Sequence, residues 1–360
     1  MIKSLDVMKL TKDNVGDPLS VAEIQTLLSS VKAGFPAISH IAISVPLGYA
    51  PEVEQRWITE IHNAGLRVIL RGAFVDSEGL YGSEIHKDTP AYWQGRCVSY
   101  INSVKGQLLN GDMVGILPEG TNNAFNGNLF LTGPLPETYN DFFLGMFDAI
   151  KPLLPAGVTL ATTNNYTEVK SGWVWGSLHA KQGWVVIDHY GSGDQSVADM
   201  EADLRGLSTQ FGLLPIFLQE WGDTGNRGVT YAKEMCAMFT RLGNENILAG
   251  LNLWAGWSAG TAEGILNDDY TLHAKADGYR DFFAGVPTPP PPPPDPDPTP
   301  EPVTDLQPVV DAINNISTSL GSLVNLNVAL TGKILKIAGI AAGAGTASVK
   351  LTAIKAVLQE

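Results

Sequence analysis

Residues 214–225 read LPIFLQEWGDTG. Leu214, Ile216, Phe217 and Leu218, broken only by Pro215, make the short apolar run expected of a strand buried on both faces. The run ends in Gln219, Glu220 and Trp221 before a Gly/Asp/Thr loop, so Glu220 stands where a strand meets a loop. The same arrangement occurs earlier in MVGILPEGTNN, residues 113–123, where Glu119 ends an apolar run and enters a Gly/Asn loop. Two carboxylates at two strand ends are the pattern of a paired acid and nucleophile.

Outward from these runs, short apolar stretches alternate with amphipathic ones. Strands are expected over Ile2–Leu10, Ile38–Val45, Arg67–Arg71, Met113–Leu117, Val158–Thr163, Trp184–Asp188, Leu214–Leu218 and Ile247–Trp254. Helices are expected over Val21–Lys32 with Ser20 as N-cap, Glu52–Ala64, Ala91–Leu109, Glu137–Leu154, Lys170–Gln182, Val197–Phe211, Val229–Leu242 and His273–Phe283. Eight strands alternating with eight helices over residues 1–285 predict a (β/α)8 barrel of the TIM type. A doubly wound sheet is the other architecture with this alternation, but it usually carries a Gly-rich phosphate turn after its first strand, and Leu10 is followed by none.

In a parallel barrel the C-terminal ends of all strands face one mouth, where the loops assemble the site. The residues at those ends are Arg71, Glu119, Asn164 with Asn165, His189 with Tyr190, Glu220, and Trp254 with Trp257. Nearly all are polar, titratable or aromatic. With Glu119 ending the fourth strand and Glu220 the seventh, residues 1–285 resemble glycoside hydrolase clan A, the cellulase-like and mannanase-like retaining glycosidases. The resemblance implies Glu119 as acid/base and Glu220 as nucleophile. It also implies sugar contacts from His189 and Tyr190 after strand six, from the aromatic Trp254 after strand eight, and from Arg71. Trp221 and Trp257 are expected in the same cleft. The sequence departs from the family at Pro118, where relatives have an Asn whose amide binds the sugar 2-hydroxyl. Asn122, Asn123 or Asn165 would then have to supply that hydrogen bond from another loop.

A retaining pair sits about 5–5.5 Å apart, close enough for one negative charge to raise the other group's pKa. Glu220 is therefore expected ionised, held by the Tyr190 phenol or the His189 imidazole, and Glu119 protonated. The rival reading is a glycan-binding adhesin that keeps the aromatic platform and has lost catalysis through Pro118.

The formal charge of -14 disfavours nucleic acid, because the 23 Lys and Arg form no run that would match a phosphate backbone. Cys97 and Cys236, the two cysteines, lie in separate helical stretches and suggest neither a disulfide framework nor a thiolate metal site. Asp76, Glu78, Asp223, Asp268 and Asp269 sit in separate loops without a ligand spacing, so no metal and no cofactor is expected. No stretch is long and apolar enough to span a membrane. The first residues, MIKSLDVMKLTKDNVGD, do not have the layout of a secretory signal, which suggests a virion-associated or extracellular protein that needs none, or otherwise a cytoplasmic one.

Residues 286–302, VPTPPPPPPDPDPTPEP, predict a semi-rigid polyproline II spacer between the barrel and a C-terminal segment, residues 303–360. Within 303–360, apolar residues recur at spacings of three and four: Leu306, Val309, Ile313, Ile316, Leu320, Leu323, Leu330, Ile334 and Ile337, with Asn327 in the same seam. That is a heptad pattern with a polar register-setting position, and it predicts a helical coiled coil through 306–337. Uncharged flanking residues such as Val310, Ala312 and Val324 widen the apolar stripe and favour a homotrimer. Several heads on one stalk would act together on a polysaccharide substrate.

Overall fold

A computed structural model describes residues 1–9, 18–45, 51–72, 90–118, 120, 137–190, 195–223, 227–254, 264–267 and 269–284. The chain divides into two units, Met1–Pro289 and Pro290–Glu360. The Pro-rich spacer and the predicted coiled coil lie outside the described residues.

Nine parallel strands form one sheet: β1 (Ile2–Lys9), β2 (His40–Val45), β3 (Arg67–Gly72), β4 (Met113–Ile116), β5 (Thr159–Ala161), β6 (Asn164–Asn165), β7 (Val185–Asp188), β8 (Ile216–Trp221) and β9 (Leu248–Trp254). Their order is β5-β4-β3-β2-β1-β9-β8-β7-β6. β5 pairs with β4 and β6 pairs with β7, with only Thr162 and Thr163 between them. The predicted fifth strand is thus made in two pieces, and the order closes on itself as the eight-stranded ring of a (β/α)8 barrel. Thr162 holds the break: its hydroxyl donates to the Ile116 carbonyl at 2.9 Å, and its N–H donates to Gln182 Oε1 at 3.1 Å.

The helices are α1 (Val21–Gly34), α2 (Pro51–Asn63), α3 (Pro90–Val104), α4 (Glu137–Ile150), α5 (Tyr166–Lys170), α6 (Gly176–Gln182), α7 (Val197–Gln210), α8 (Val229–Asn244) and α9 (Arg280–Ala284). Ser20 caps α1 in a reciprocal box with Glu23, and Ser196 caps α7 in the same way with Asp199. The expected helix Lys170–Gln182 is instead two short ones, because Gly172 takes φ +78 and turns the chain between α5 and α6. The expected last helix is a 3-10 turn over Ala274–Gly278 followed by α9.

Strand alternation divides the core in two. One parity of each strand faces the helices in a large outer layer, whereas Ala42, Ile69, Met113, Ala161, Val186 and Phe217 fill the barrel interior. Gly250 is required there, since a Cβ would stand 2.5 Å from the Phe217 ring and 2.8 Å from Ile2. The inward positions one step nearer the C-terminal mouth include Asp6, Arg71, Asp188 and Asn252, and these build the site.

Candidate active site

Arg71 lies two residues beyond Ile69 on β3, so the interior face that holds Ile69 also receives the guanidinium. It is 1% exposed. Its Nη1 donates to Asp6 Oδ2 of β1 at 2.7 Å, and its Nη2 forms an ion pair with Glu220 Oε1 of β8. Asn252 of β9 ties Asp6 in from the other side, donating Nδ2 to Asp6 Oδ2 at 3.2 Å and to the Gln219 carbonyl at 2.8 Å. One permanent positive charge is therefore shared between two buried carboxyl groups.

Glu220 reaches this position through a bulge. The strand partners run Leu218↔Ile187 and then Glu220↔Asp188, so β8 uses two residues where β7 uses one. Regular alternation would send Gln219 inward and Glu220 outward; the extra residue re-aims Glu220 into the barrel. The strand consequently runs through Trp221 instead of ending at Leu218 as expected. The Tyr190 hydroxyl donates to Glu220 Oε2, and the Tyr190 ring meets Trp254 edge-on at 5.7 Å. Both Glu220 oxygens are thus held, one by a cation and one by a phenol.

Trp221 does not join the cleft. It is fully buried and packs edge-on against Phe239 of α8 at 4.9 Å and Tyr279 at 6.0 Å. As the residue after an inward Glu220 it must point outward, between barrel and helices.

His189 also departs from its expected place. Its N–H donates to the Glu220 carbonyl at 3.0 Å, but its imidazole turns away from the Glu220 carboxylate. Nε2 meets Asp203 Oδ2 of α7 at 3.2 Å, and the ring lies flat on Tyr166, with centroids 3.8 Å apart. Of the two groups expected to hold Glu220, the phenol does so. Burial pulls the His189 pKa down, against a raising effect from Asp203, so the neutral ring is favoured. Asp203 itself is pushed up by its partial burial but lies below the usual range on balance, because Tyr166, Lys170 and His189 surround it.

Asn165, Tyr166, Asp188, His189, Tyr190 and Asp203 line a depression of about 440 Å³ beside Glu220. Asn165 and Tyr190 are thus brought to the site region, as is Trp254 at the end of β9.

Glu119, Asn122 and Trp257 lie outside the described residues. The chain on either side of Glu119 is held firmly. Leu117 takes φ +45, uncommon for a residue with a side chain, and its N–H donates to the Gly72 carbonyl at 3.0 Å. Pro118 is buried, and a Cβ on Gly120 would come within 3.1 Å of the Phe143 ring.

Sequence reasoning missed Asp6, Asn252 and Asp188. Asn252 and Asp188 are each the single polar residue of an apolar strand run, Asp6 shares β1 with Lys3 and Ser4, and each of the three lies two residues beyond an inward position: Ser4 to Asp6, Gly250 to Asn252, Val186 to Asp188. That signal is present in the chain, but it becomes legible only once the inward parity of each strand is known.

No family model matches the sequence, and no curated protein matches it. Solved structures do. A Ruminococcus gnavus β-glucuronidase superposes with TM-score 0.57 at 11% identity, covering 78% of this chain and 50% of that one. This chain spans about half the length of that protein. The GH5-4 broad specificity endoglucanase from Clostridium acetobutylicum gives 0.55 at 11%, covering 74% of this chain and 90% of that one. A GH5-4 broad specificity endoglucanase from Ruminococcus champanellensis with bound cellotriose gives 0.50 at 14%, covering 74% and 87%. These likenesses establish the (β/α)8 fold.

Proposed function

We propose that this chain is a retaining glycoside hydrolase acting on a β-linked polysaccharide, with Glu220 as nucleophile and Glu119 as acid/base. The observation that carries the reading is the Glu220 carboxylate, buried at the barrel mouth with Oε1 on Arg71 and Oε2 accepting from Tyr190. A carboxylate held in this way is aimed and keeps its attacking oxygen free of bulk water. The names of the structural neighbours, a β-glucuronidase and endoglucanases, agree with this chemistry.

In the reaction, a Glu220 oxygen attacks the anomeric carbon while Glu119 protonates the departing glycosidic oxygen. The covalent glycosyl ester then yields to water, from which Glu119 removes a proton as Glu220 leaves. Arg71 and Tyr190 stabilise the Glu220 charge before attack and as it reforms. Trp254 offers its half-buried ring as a sugar platform. The spacer and heptad tail are read as a stalk that presents three such heads at a glycan surface, on a virion or outside a cell; a monomer in sedimentation of the full chain would remove that part.

The test is hydrolysis across β-glucans, mannans, xylans and bacterial surface glycans by the wild type, Glu220→Gln and Glu119→Gln. Cleavage of one glycan with a loss on the order of 10³-fold or more in either variant, and retained anomeric configuration by NMR, is the expected result. Binding without cleavage by the wild type would favour the adhesin reading instead.

A further inference from the structure

Asp223 and Arg227 have no part in the chemistry proposed above, yet both are largely withdrawn from water where β8 leads into α8. The Asp223 side chain is 8% exposed and that of Arg227 18%. Asp223 Oδ1 receives Arg227 Nε at 3.1 Å, and Oδ2 receives the Gly228 N–H at 3.1 Å. Gly228 is the N-cap position of α8 and has no side chain to cap it, so a carboxylate from beyond the strand end satisfies an N–H at the positive end of the helix. The guanidinium lies 3.6 Å from the centre of the Tyr231 ring in the first turn of α8, and that contact fixes its place.

From there Arg227 reaches across to the segment that follows β7. Its Nη1 donates to the Gln195 carbonyl at 2.7 Å, and the Tyr231 hydroxyl donates to the same oxygen at 3.3 Å. Gln195 directly precedes Ser196, the N-cap of α7, and its side-chain amide donates to Asp203 Oδ2 at 2.7 Å. Gln195 is thus gripped from α8 by its carbonyl and from α7 by its amide. Five residues before it stands Tyr190, whose hydroxyl donates to Glu220 Oε2. Next to Tyr190 is His189, whose N–H donates to the Glu220 carbonyl and whose ring meets Asp203. The bonds close a circuit: from Glu220 along the chain to Asp223 and Arg227, across to Gln195, through Asp203 to His189, and back to Glu220. Tyr190 is carried on that circuit, between His189 and Gln195. A displacement of about 1 Å caused from a distance can cost about 10²-fold in rate, so what holds the phenol in place bears on catalysis.

We propose that Arg227 is a positioning residue for this site: its guanidinium locks Gln195 to Asp223 and so holds the Tyr190 phenol on Glu220. Arginine suits the task because Nε and Nη1 of one rigid plane serve two acceptors at once, whereas a lysine ammonium on a flexible stem fixes no such plane. The proposal rests on the glycosidase reading for what the phenol does in catalysis, but not for the lock itself.

The experiment compares the full chain as wild type, Arg227→Lys, Arg227→Met, Tyr190→Phe and the double variant Arg227→Met with Tyr190→Phe. Each is assayed well below its melting temperature on the glycan found by hydrolysis screening. Arg227→Met should lower kcat by about 5- to 10-fold while KM changes by less than about twofold, and Arg227→Lys should fall between it and the wild type. In the Tyr190→Phe background the same Arg227→Met change should cost less than about twofold, since the bond it positions is already gone. A purely structural role would lower the melting temperature and leave both results unmoved. Hydrogen exchange at the His189 amide, which needs no substrate, should be faster by about tenfold in Arg227→Met than in the wild type. An unchanged kcat in Arg227→Met, an equal loss in both backgrounds, or unaltered exchange would overturn the proposal. Where Arg227→Met does not fold, Arg227→Lys is read by the same criteria. If the wild type hydrolyses no glycan while exchange still rises in the variant, the glycosidase reading falls and the lock stands.

Discussion

Replacing Arg71 with Met removes the one cation, among the described residues, between Asp6 and Glu220, which are 0% and 4% exposed. Both carboxylates then lose a charge partner inside the barrel, where solvation is poor. Breaking a buried pair by deleting one member costs about 3–5 kcal/mol, because an uncompensated charge stays behind. Here two stay behind, so the upper end, about 5 kcal/mol, is expected at neutral pH. A barrel of this size shifts by about 2–4 °C per kcal/mol, so the melting temperature should fall by on the order of 10–20 °C. Adding Asp6→Asn removes one of the two stranded charges, and Asn can still receive the Asn252 amide on its oxygen. The double variant should therefore be less destabilised than the sum of the singles, by about 1–3 kcal/mol in a double-mutant cycle. The assay is urea unfolding of the four proteins at pH 7. A loss below about 1 kcal/mol in Arg71→Met, or strict additivity with Asp6→Asn, would refute the shared-cation account.

Two single contacts carry further expected outcomes. Tyr190→Phe deletes the proton on Glu220 Oε2 while keeping the ring against Trp254, so kcat should fall by about 10- to 100-fold, as expected for a charge-assisted hydrogen bond, with little change in melting temperature; an unchanged kcat on the substrate found by hydrolysis screening would contradict it. Glu54 of α2 is buried against α3, accepts from the Tyr100 hydroxyl, and burial raises its pKa from 4.5 to about 7. A raised carboxyl pKa means the folded state holds the proton more tightly, so stability is full below pH 4.5 and declines as pH rises through 7. The loss from this group is about 3 kcal/mol at its largest. Glu54→Gln should flatten that decline, and urea unfolding that stays parallel to wild type across pH 5–8 would show that Glu54 does not titrate there.

Much of the barrel was legible in the chain because its signals are local and periodic. Apolar runs separated by amphipathic segments, the Ser20 cap and the strand-end polar residues all arise from period two, period 3.6 and capping chemistry, which need no distant partner. Boundaries were less legible where backbone irregularity intervened. The fifth strand breaks at Thr162 because its hydroxyl and N–H find partners on β4 and α6. The helix expected over Lys170–Gln182 breaks because Gly172 permits a left-handed turn.

The sequence by itself determined the fold class, the strand-end position of Glu220 and the candidacy of Arg71, Tyr190 and Trp254. Tertiary structure decided which way each side chain points. The bulge at the end of β8 turns Glu220 inward and Trp221 outward, and β7 runs into the site so that Tyr190, not His189, meets the carboxylate. Asp6 and Asn252 join Arg71 only when the first and last strands of the ring pair with each other. The physical reason is that composition and periodicity record what each segment buries. Hydrogen-bond partners and bulges are set by register between strands that are distant in the chain, 246 residues apart in the case of Asp6 and Asn252, and no local pattern encodes that register.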